Sequence, residues 1–174
     1  MRLDADDFAL FGLPRRQRLD RAQLDERWRA LQAKVHPDRF AAEGAAAQRV
    51  AMQWALRLNE AHRRLKDPLQ RAAYLCELAG APVRASDNTA MPRAFLLQQM
   101  QWREALEEAG DAGAVQALDA QMQRAEAEAI AALESALDDA GDAPSAAAQV
   151  RALMFLHRFR HDIERRLDAL DPER

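Results

Sequence analysis

His36, Pro37 and Asp38 stand in succession, His157 and His161 are four residues apart, and Cys76 is the single thiol of the chain. His36 and Asp38 have the types of an acid–base pair. The sequence around them holds no nucleophile, glycine-rich phosphate cradle or second carboxylate partner, so they do not read as a catalytic set. Nothing else offers a catalytic residue, and the chain is not expected to be an enzyme. His157 and His161 have the i,i+4 spacing of a helical metal pair. The residue after the first is Arg158 rather than the glutamate of a metalloprotease helix, and no third ligand is evident. Solvent-facing histidines are the simpler expectation. Cys76 lies in the apolar stretch Ala72 to Leu78 and reads as packing, since one cysteine supports neither a disulfide nor a multi-thiolate site within one chain. No bound metal and no cofactor are expected. A metal or cluster carrier built on His157, His161 and Cys76 remains the alternative from a different functional class.

The elements that position His36, Pro37 and Asp38 are two amphipathic segments, Leu19 to Val35 and Glu43 to Leu65. Pro37 lacks a backbone N–H, clashes with the preceding turn and biases His36 out of the α region, so the first helix must end there. Histidine is favoured at a helix C-terminus by the macrodipole, and Asp38 is of the type that bonds backbone amides in a turn. A rigid, solvent-facing loop is predicted. Leu24, Trp28, Leu31 and Val35 share one helical face, as do Val50, Trp54, Leu58, Ala61 and Leu65. The two stripes suit an antiparallel pair with the loop at its tip, and Trp28 and Trp54 are expected to anchor its core.

With 174 residues, 49% hydrophobic and 30% charged, the chain is sized for one or two small globular domains. No run of 18 apolar residues exists, and the first 15 positions hold Asp4, Asp6, Asp7 and Pro14 in place of a basic, hydrophobic leader. A cytoplasmic protein without signal peptide or membrane contact is the expectation. The net charge of -3 argues against nucleic-acid binding. Lys34 and Lys66 are the only lysines, and the heavy use of Ala and Arg suggests a GC-rich bacterial genome.

Helical patterns run almost throughout, giving an all-α fold. Gly80 to Pro92 is rich in turn formers and reads as a linker, 80–92, between domains 1–79 and 93–174. Helices are predicted over about 93–109, 114–139 and 145–169, separated by Gly110 to Gly113 and Gly141 to Pro144, which implies a three-helix bundle. In the first of these, Phe95, Trp102, Leu106 and Ala109 form a core stripe, while Leu96, Leu97 and Met100 lie roughly 100 to 200 degrees away around the helix with Glu104, near Gln101 and Glu108. An apolar cluster fringed by acidic and amide groups is the pattern of an interaction patch. The alternative is a helix buried on two sides. In the last helix Leu153, Leu156, Phe159, Ile163, Leu167 and Leu170 form the core stripe, and Phe155 points about 90 degrees off its centre. It either fills the edge of the core or completes an apolar surface with Leu96 and Met100.

Three blocks in the first 75 residues carry a family resemblance. Phe8 to Pro14 resembles the short first helix and Leu-Gly-Leu turn of a J-domain, with Phe11 in place of the first leucine. His36, Pro37 and Asp38 between two helices resemble the signature loop of a J-domain, and the tripeptide continues as Arg39 and Phe40. Asn59 to Tyr74 resembles the end of its third helix and the Asp-Pro turn into a fourth. Together with Arg71 to Leu75, a linker, the run Ala94 to Leu97 and a three-helix bundle, nearly the whole chain is similar to the HscB-type J-domain co-chaperones of iron–sulfur cluster assembly.

The resemblance implies that the amino-terminal domain stimulates ATP hydrolysis by the DnaK-type chaperone HscA, and that the bundle brings it the cluster scaffold IscU. It implies a chaperone-binding set of His36, Pro37, Asp38, Arg27, Arg29, Lys34 and Arg39. It also implies a scaffold-binding set of Leu96, Leu97, Met100, Gln101, Glu104, Glu108 and Phe155. Gln101 stands where the family often has an acidic residue, and Asp25 and Glu26 dilute a helix that is strongly basic in general J-domains. The diluted charge points to a dedicated chaperone partner. A J-domain protein with a different client is the nearest alternative.

Overall fold

The computed structural model describes residues 4–83 and 91–170. They contain seven α-helices, a 3-10 turn, a π-helical turn and no strand. The all-α expectation holds. The chain divides into two compact units, Met1–Leu75 and Cys76–Arg174. Part of the 80–92 linker read from the sequence, 84–90, lies outside the described residues.

The first unit opens with α1 (Asp7–Phe11), capped by Asp6, whose Oδ1 accepts from Ala9 N at 3.0 Å. Gly12 ends it in the left-handed region (φ 61°), where a side chain would be strained. The second helix, α2 (Arg21–Val35), starts where Asp20 Oδ1 accepts from Ala22 N, two residues later than the sequence pattern placed it. A 3-10 turn (Pro37–Glu43) leads to α3 (Ala45–Lys66). Asp67 then caps α4 (Pro68–Leu78) by accepting from Leu69 N and Gln70 N at 2.8 and 2.9 Å, with Pro68 at the first helical position where its missing N–H costs nothing.

Phe8, Phe11, Leu24, Leu58, Ala61, Leu65 and Ala72 are fully or almost fully buried in this unit. The two tryptophans are peripheral, not central. Trp28 is half-buried, stacks on His62 at 4.6 Å and donates its indole N–H to Asn59 Oδ1. Its N–H needs a polar partner, and Asn59 supplies one at the edge of the α2–α3 seam. Val50, expected in the α3 core stripe, is 51% exposed. The α3 stripe extends past the end of α2 at Val35, so its N-terminal members face the short 3-10 turn instead of a full α-helix.

The second unit holds α5 (Arg93–Glu108), α6 (Ala112–Glu134) and α7 (Ala143–Leu170), the bundle expected from the sequence. Two boundaries differ. The Asp111 carboxylate caps α6 through Ala114 N at 2.8 Å, so the helix starts before Gly113. At its far end α6 widens into a π-helical turn (Ser135–Ala140) closed by Gly141 at φ 66°. Asp142 then caps α7 through Ser145 N at 3.1 Å. The long helices α6 and α7 form the close-packed pair, through Val115, Leu118, Met122 and Leu133 on one and Val150, Leu153, Leu156, Phe159 and Ile163 on the other. Leu167 and Leu170 are half-buried where the stripe runs out.

Candidate functional site

Helix α2 ends at His36, whose backbone (φ −59°, ψ 127°) leaves the α region as the following proline requires. The capping role expected of Asp38 is taken by the histidine: Asp38 N donates to His36 Nδ1 at 3.3 Å. The Asp38 carboxylate stays in water, with 89% of its side-chain surface exposed, 3.5 Å from a ring that is itself 58% exposed. Arg39 N donates to His36 O at 3.0 Å, and its guanidinium donates to Ala33 O at 3.1 Å, closing the turn against the end of α2. The tripeptide therefore sits on a tight, hydrogen-bonded turn that presents an imidazole and a carboxylate to solvent.

The basic residues near this turn are not equivalent. Arg27 donates to Phe11 O at 3.1 Å and lies 3.0 Å from the position a Cβ on Gly12 would take, so it closes the C-terminus of α1. Arg29 donates to Asp25 O at 3.2 Å on its own helix. Lys34 is exposed and, among the described residues, carries no hydrogen bond or ion pair. The Asp25 charge is likewise engaged: its Oδ1 lies 2.6 Å from His62 Nε2, and that hydrogen bond holds the carboxyl below its ordinary value. The acidic dilution of α2 is partly a cross-helix tie to α3.

A buried polar network, not anticipated from the sequence, fixes the base of the same unit. Asp7 is fully buried, with Arg57 Nη2 at 2.7 Å and Arg64 Nη1 at 3.0 Å, while Arg64 covers the Tyr74 ring at 4.8 Å. Arg71, also buried, donates to Gln17 O and Leu65 O. The seven-residue spacing of Arg57 and Arg64 puts both on one face of α3 and was the available signal.

On the second unit, α5 separates its residues as the helical wheel requires. Trp102 is 8% exposed, and Ala109 is buried. Leu97 is 53% and Met100 67% exposed, and Gln101, Glu104 and Glu108 lie in water beside them. Leu96 is half-buried and belongs to the margin of this surface. Phe155 does not belong to it. At 6% exposure it stacks on Trp102 (6.2 Å) and Phe159 (5.6 Å) and meets Phe95 edge-on (5.9 Å). Its offset from the α7 stripe points it at α5, a third helix that a wheel drawn for α7 alone does not contain. The expected exposed patch with Leu96 and Met100 therefore contracts to the α5 residues, and Phe155 holds that helix from beneath.

The residues of the metal-carrier alternative do not converge. His157 Nε2 lies 2.9 Å from Glu126 Oε1, and His161 Nδ1 3.1 Å from Glu164 Oε2. Cys76 is fully buried, and burial pushes its thiol up to about 11, so it is a poor ligand and a poor nucleophile at neutral pH. Among the described residues no three His, Cys, Asp or Glu side chains group as a metal site would need. None of the described helices is long and apolar enough to cross a membrane.

Comparison with known proteins adds an independent line. The family model described as the HSCB C-terminal oligomerisation domain matches residues 91–164. A protein of Azoarcus sp. (strain BH72), named co-chaperone protein HscB homolog, is 49% identical over 172 residues, covering 97% of each chain. The structure of chaperone HscB from Vibrio cholerae matches with a TM-score of 0.85 at 36% identity over 95% of this chain and 99% of that one. Human co-chaperone protein HscB matches with a TM-score of 0.82 at 26% identity, over 92% and 81% respectively.

Proposed function

Because the chain belongs to the HscB family of co-chaperones, we propose that it serves iron–sulfur cluster assembly by delivering the scaffold IscU to the DnaK-type chaperone HscA and stimulating ATP hydrolysis there. The observation that carries this reading is the exposed His36, Pro37 and Asp38 turn at the tip of the α2–α3 pair. In this role residues 1–79 engage the chaperone, 80–92 link, and 93–174 hold the client. The protein contributes no catalytic residue or cofactor of its own and works in the cytoplasm.

The mechanism is a shift of equilibrium. A ligand changes the chaperone's state only by binding one state better than another, so the turn and the α2 cations must meet a surface present in the hydrolysis-competent form. Lys34 is the cation with the greatest freedom to do this. Arg29 and Arg39 add charge from more constrained positions, and Arg27 acts mainly by holding α1 to α2. On the bundle, Leu97 and Met100 form the centre of the client surface, with Leu96 at its inner edge and Gln101, Glu104 and Glu108 at its rim. Phe155 positions α5 and touches no client.

The test is the steady-state ATPase of HscA with this protein and IscU added separately and together. A more than additive rise with both present supports the reading. No stimulation by this protein at any concentration would exclude the chaperone role, and stimulation without any effect of IscU would assign the bundle a different client.

A further inference from the structure

The sulfur atoms of the second unit differ sharply in their access to water. Among its described residues Met122 is fully buried, Met91 and Met154 are half-buried, and Met100 is 67% exposed on α5. Cys76, the remaining sulfur, is fully buried, and the burial that pushes its thiol up leaves little of the thiolate that oxidants attack. A solvated thioether beside a protected thiol is the reverse of a cysteine-based sensor. It directs a two-electron oxidant to one side chain of this unit. That side chain stands with Leu97 in an apolar group rimmed by Gln101, Glu104 and Glu108, away from Trp102 and the core.

We propose that Met100 is a reversible oxidation site, and that its conversion to the sulfoxide by a peroxide releases the client from the bundle. This rests on the reading of α5 as the client surface and adds its regulation. In the step, an electron pair on the Met100 sulfur attacks one oxygen of hydrogen peroxide. The S–O bond forms as the O–O bond breaks, the proton of the transferred OH passes to the departing hydroxide, and water leaves. Sulfur is oxidised by two electrons and the peroxide is reduced by two. The product is polar where the thioether was flexible and apolar. Within a desolvated interface its oxygen loses its hydrogen bonds to water and an apolar partner surface returns none, a cost that falls on the bound state alone. Exposure makes this a switch and not damage. In the free protein the new oxygen projects into water and disturbs no packing, whereas the same oxygen on Met122 would be forced into the α6–α7 seam. Methionine sulfoxide reductases, one for each epimer, restore the thioether.

The test uses the full-length protein, treated with dilute hydrogen peroxide, desalted, and titrated with untreated IscU as the probe. Met52, 51% exposed on α3, is oxidisable as well, so Met52→Leu is the background for every measurement. Peptide mass spectrometry should show oxygen added at Met100 at least about tenfold faster than at Met122, with Cys76 unmodified. Once Met100 is converted, the Kd for IscU should rise at least about fivefold, the melting temperature should stay at its untreated value, and the two reductases together should restore binding. Stimulation of HscA without IscU should not change. Adding Met100→Leu keeps an apolar side chain without an oxidisable sulfur, and this protein should bind IscU within about twofold of the background before and after peroxide. Normal IscU binding by the converted form overturns the proposal. So does an equal loss of binding after peroxide in the Met100→Leu protein, a loss that the reductases fail to reverse, or oxidation of Met122 that keeps pace with Met100. Failure of the untreated protein to bind IscU overturns instead the reading of α5 on which the proposal rests.

Discussion

The two units solve the problem of presenting a surface in different ways. In the first, long-range polar contacts set the geometry: Asp7 with Arg57 and Arg64, Arg71 with two backbone carbonyls, and Asp25 with His62. In the second, the apolar seam of α6 and α7 and the aromatic group Phe95, Trp102, Phe155 and Phe159 do it. Short helices of 5 and 11 residues in the first unit bury too little to fix themselves by area alone, and directional bonds supply the rest. The 23- and 28-residue helices of the second bury long continuous stripes, and polar ties between them are peripheral. Damage to a functional surface should therefore arise through different chemistry in each unit.

The largest effect is expected at the turn, where function and packing are separate. His36→Gln or Asp38→Asn should remove ATPase stimulation entirely while shifting stability by less than about 0.5 kcal/mol, as for other exposed positions. Chemical denaturation beside the ATPase assay checks both halves. In the second unit packing and function coincide: Phe155→Ala should cost about 3 to 4 kcal/mol in bundle stability through the lost aromatic contacts, and weaken client binding because α5 loses its support. Hydrogen exchange should localise the loss to α5 and α7, sparing α2 and α3.

Asp7→Asn tests the polar logic of the first unit. It leaves Arg57 and Arg64 facing a neutral group and should cost about 3 kcal/mol, at the low end for a broken buried pair because both arginines keep some water. A loss below half a kcal/mol would show that the unit is held by apolar burial like its neighbour. On α5, Leu97→Ala with Met100→Ala should weaken IscU binding by about 2 kcal/mol on the hot-spot scale without lowering the melting temperature. Including Leu96→Ala should add a measurable stability loss, since that side chain is half-buried.

The smallest effect is a pH dependence of the α2–α3 tie. The Asp25 carboxyl is lowered chiefly by its hydrogen bond from His62, so it contributes stability above the ordinary aspartate value of 3.8 and loses it as pH falls through the lower folded value. The difference between wild type and Asp25→Asn should shrink as the pH falls below 3.8. A difference that grows in acid would contradict the assigned tie.

Much of this was legible in the sequence, and the residues show why. Pro37, Asp20, Asp67, Asp111 and Gly141 punctuate the helices by local rules that need no partner, so element order and the tip position of His36 followed from chain neighbours alone. The outward direction of Leu97 and Met100 followed from the wheel, because Trp102 on the opposite side marks the core. Phe155 was ambiguous because an angle about one helix axis does not say whether a third helix lies in that direction. The ties made by Arg27, Asp25 and Asp7 were not legible along the chain, because their partners are 16 to 57 residues away.

By itself the sequence determined the helices, their caps and the turn that displays His36 and Asp38, since i,i+4 bonding, proline geometry and side-chain capping act within a few residues. Only the tertiary structure decided that Phe155 is covered, that Val50 is left exposed, and which cations remain free to meet a partner. Those outcomes depend on where one helix stops relative to its neighbour and on which distant groups desolvate together, quantities that periodicity along a single segment does not contain.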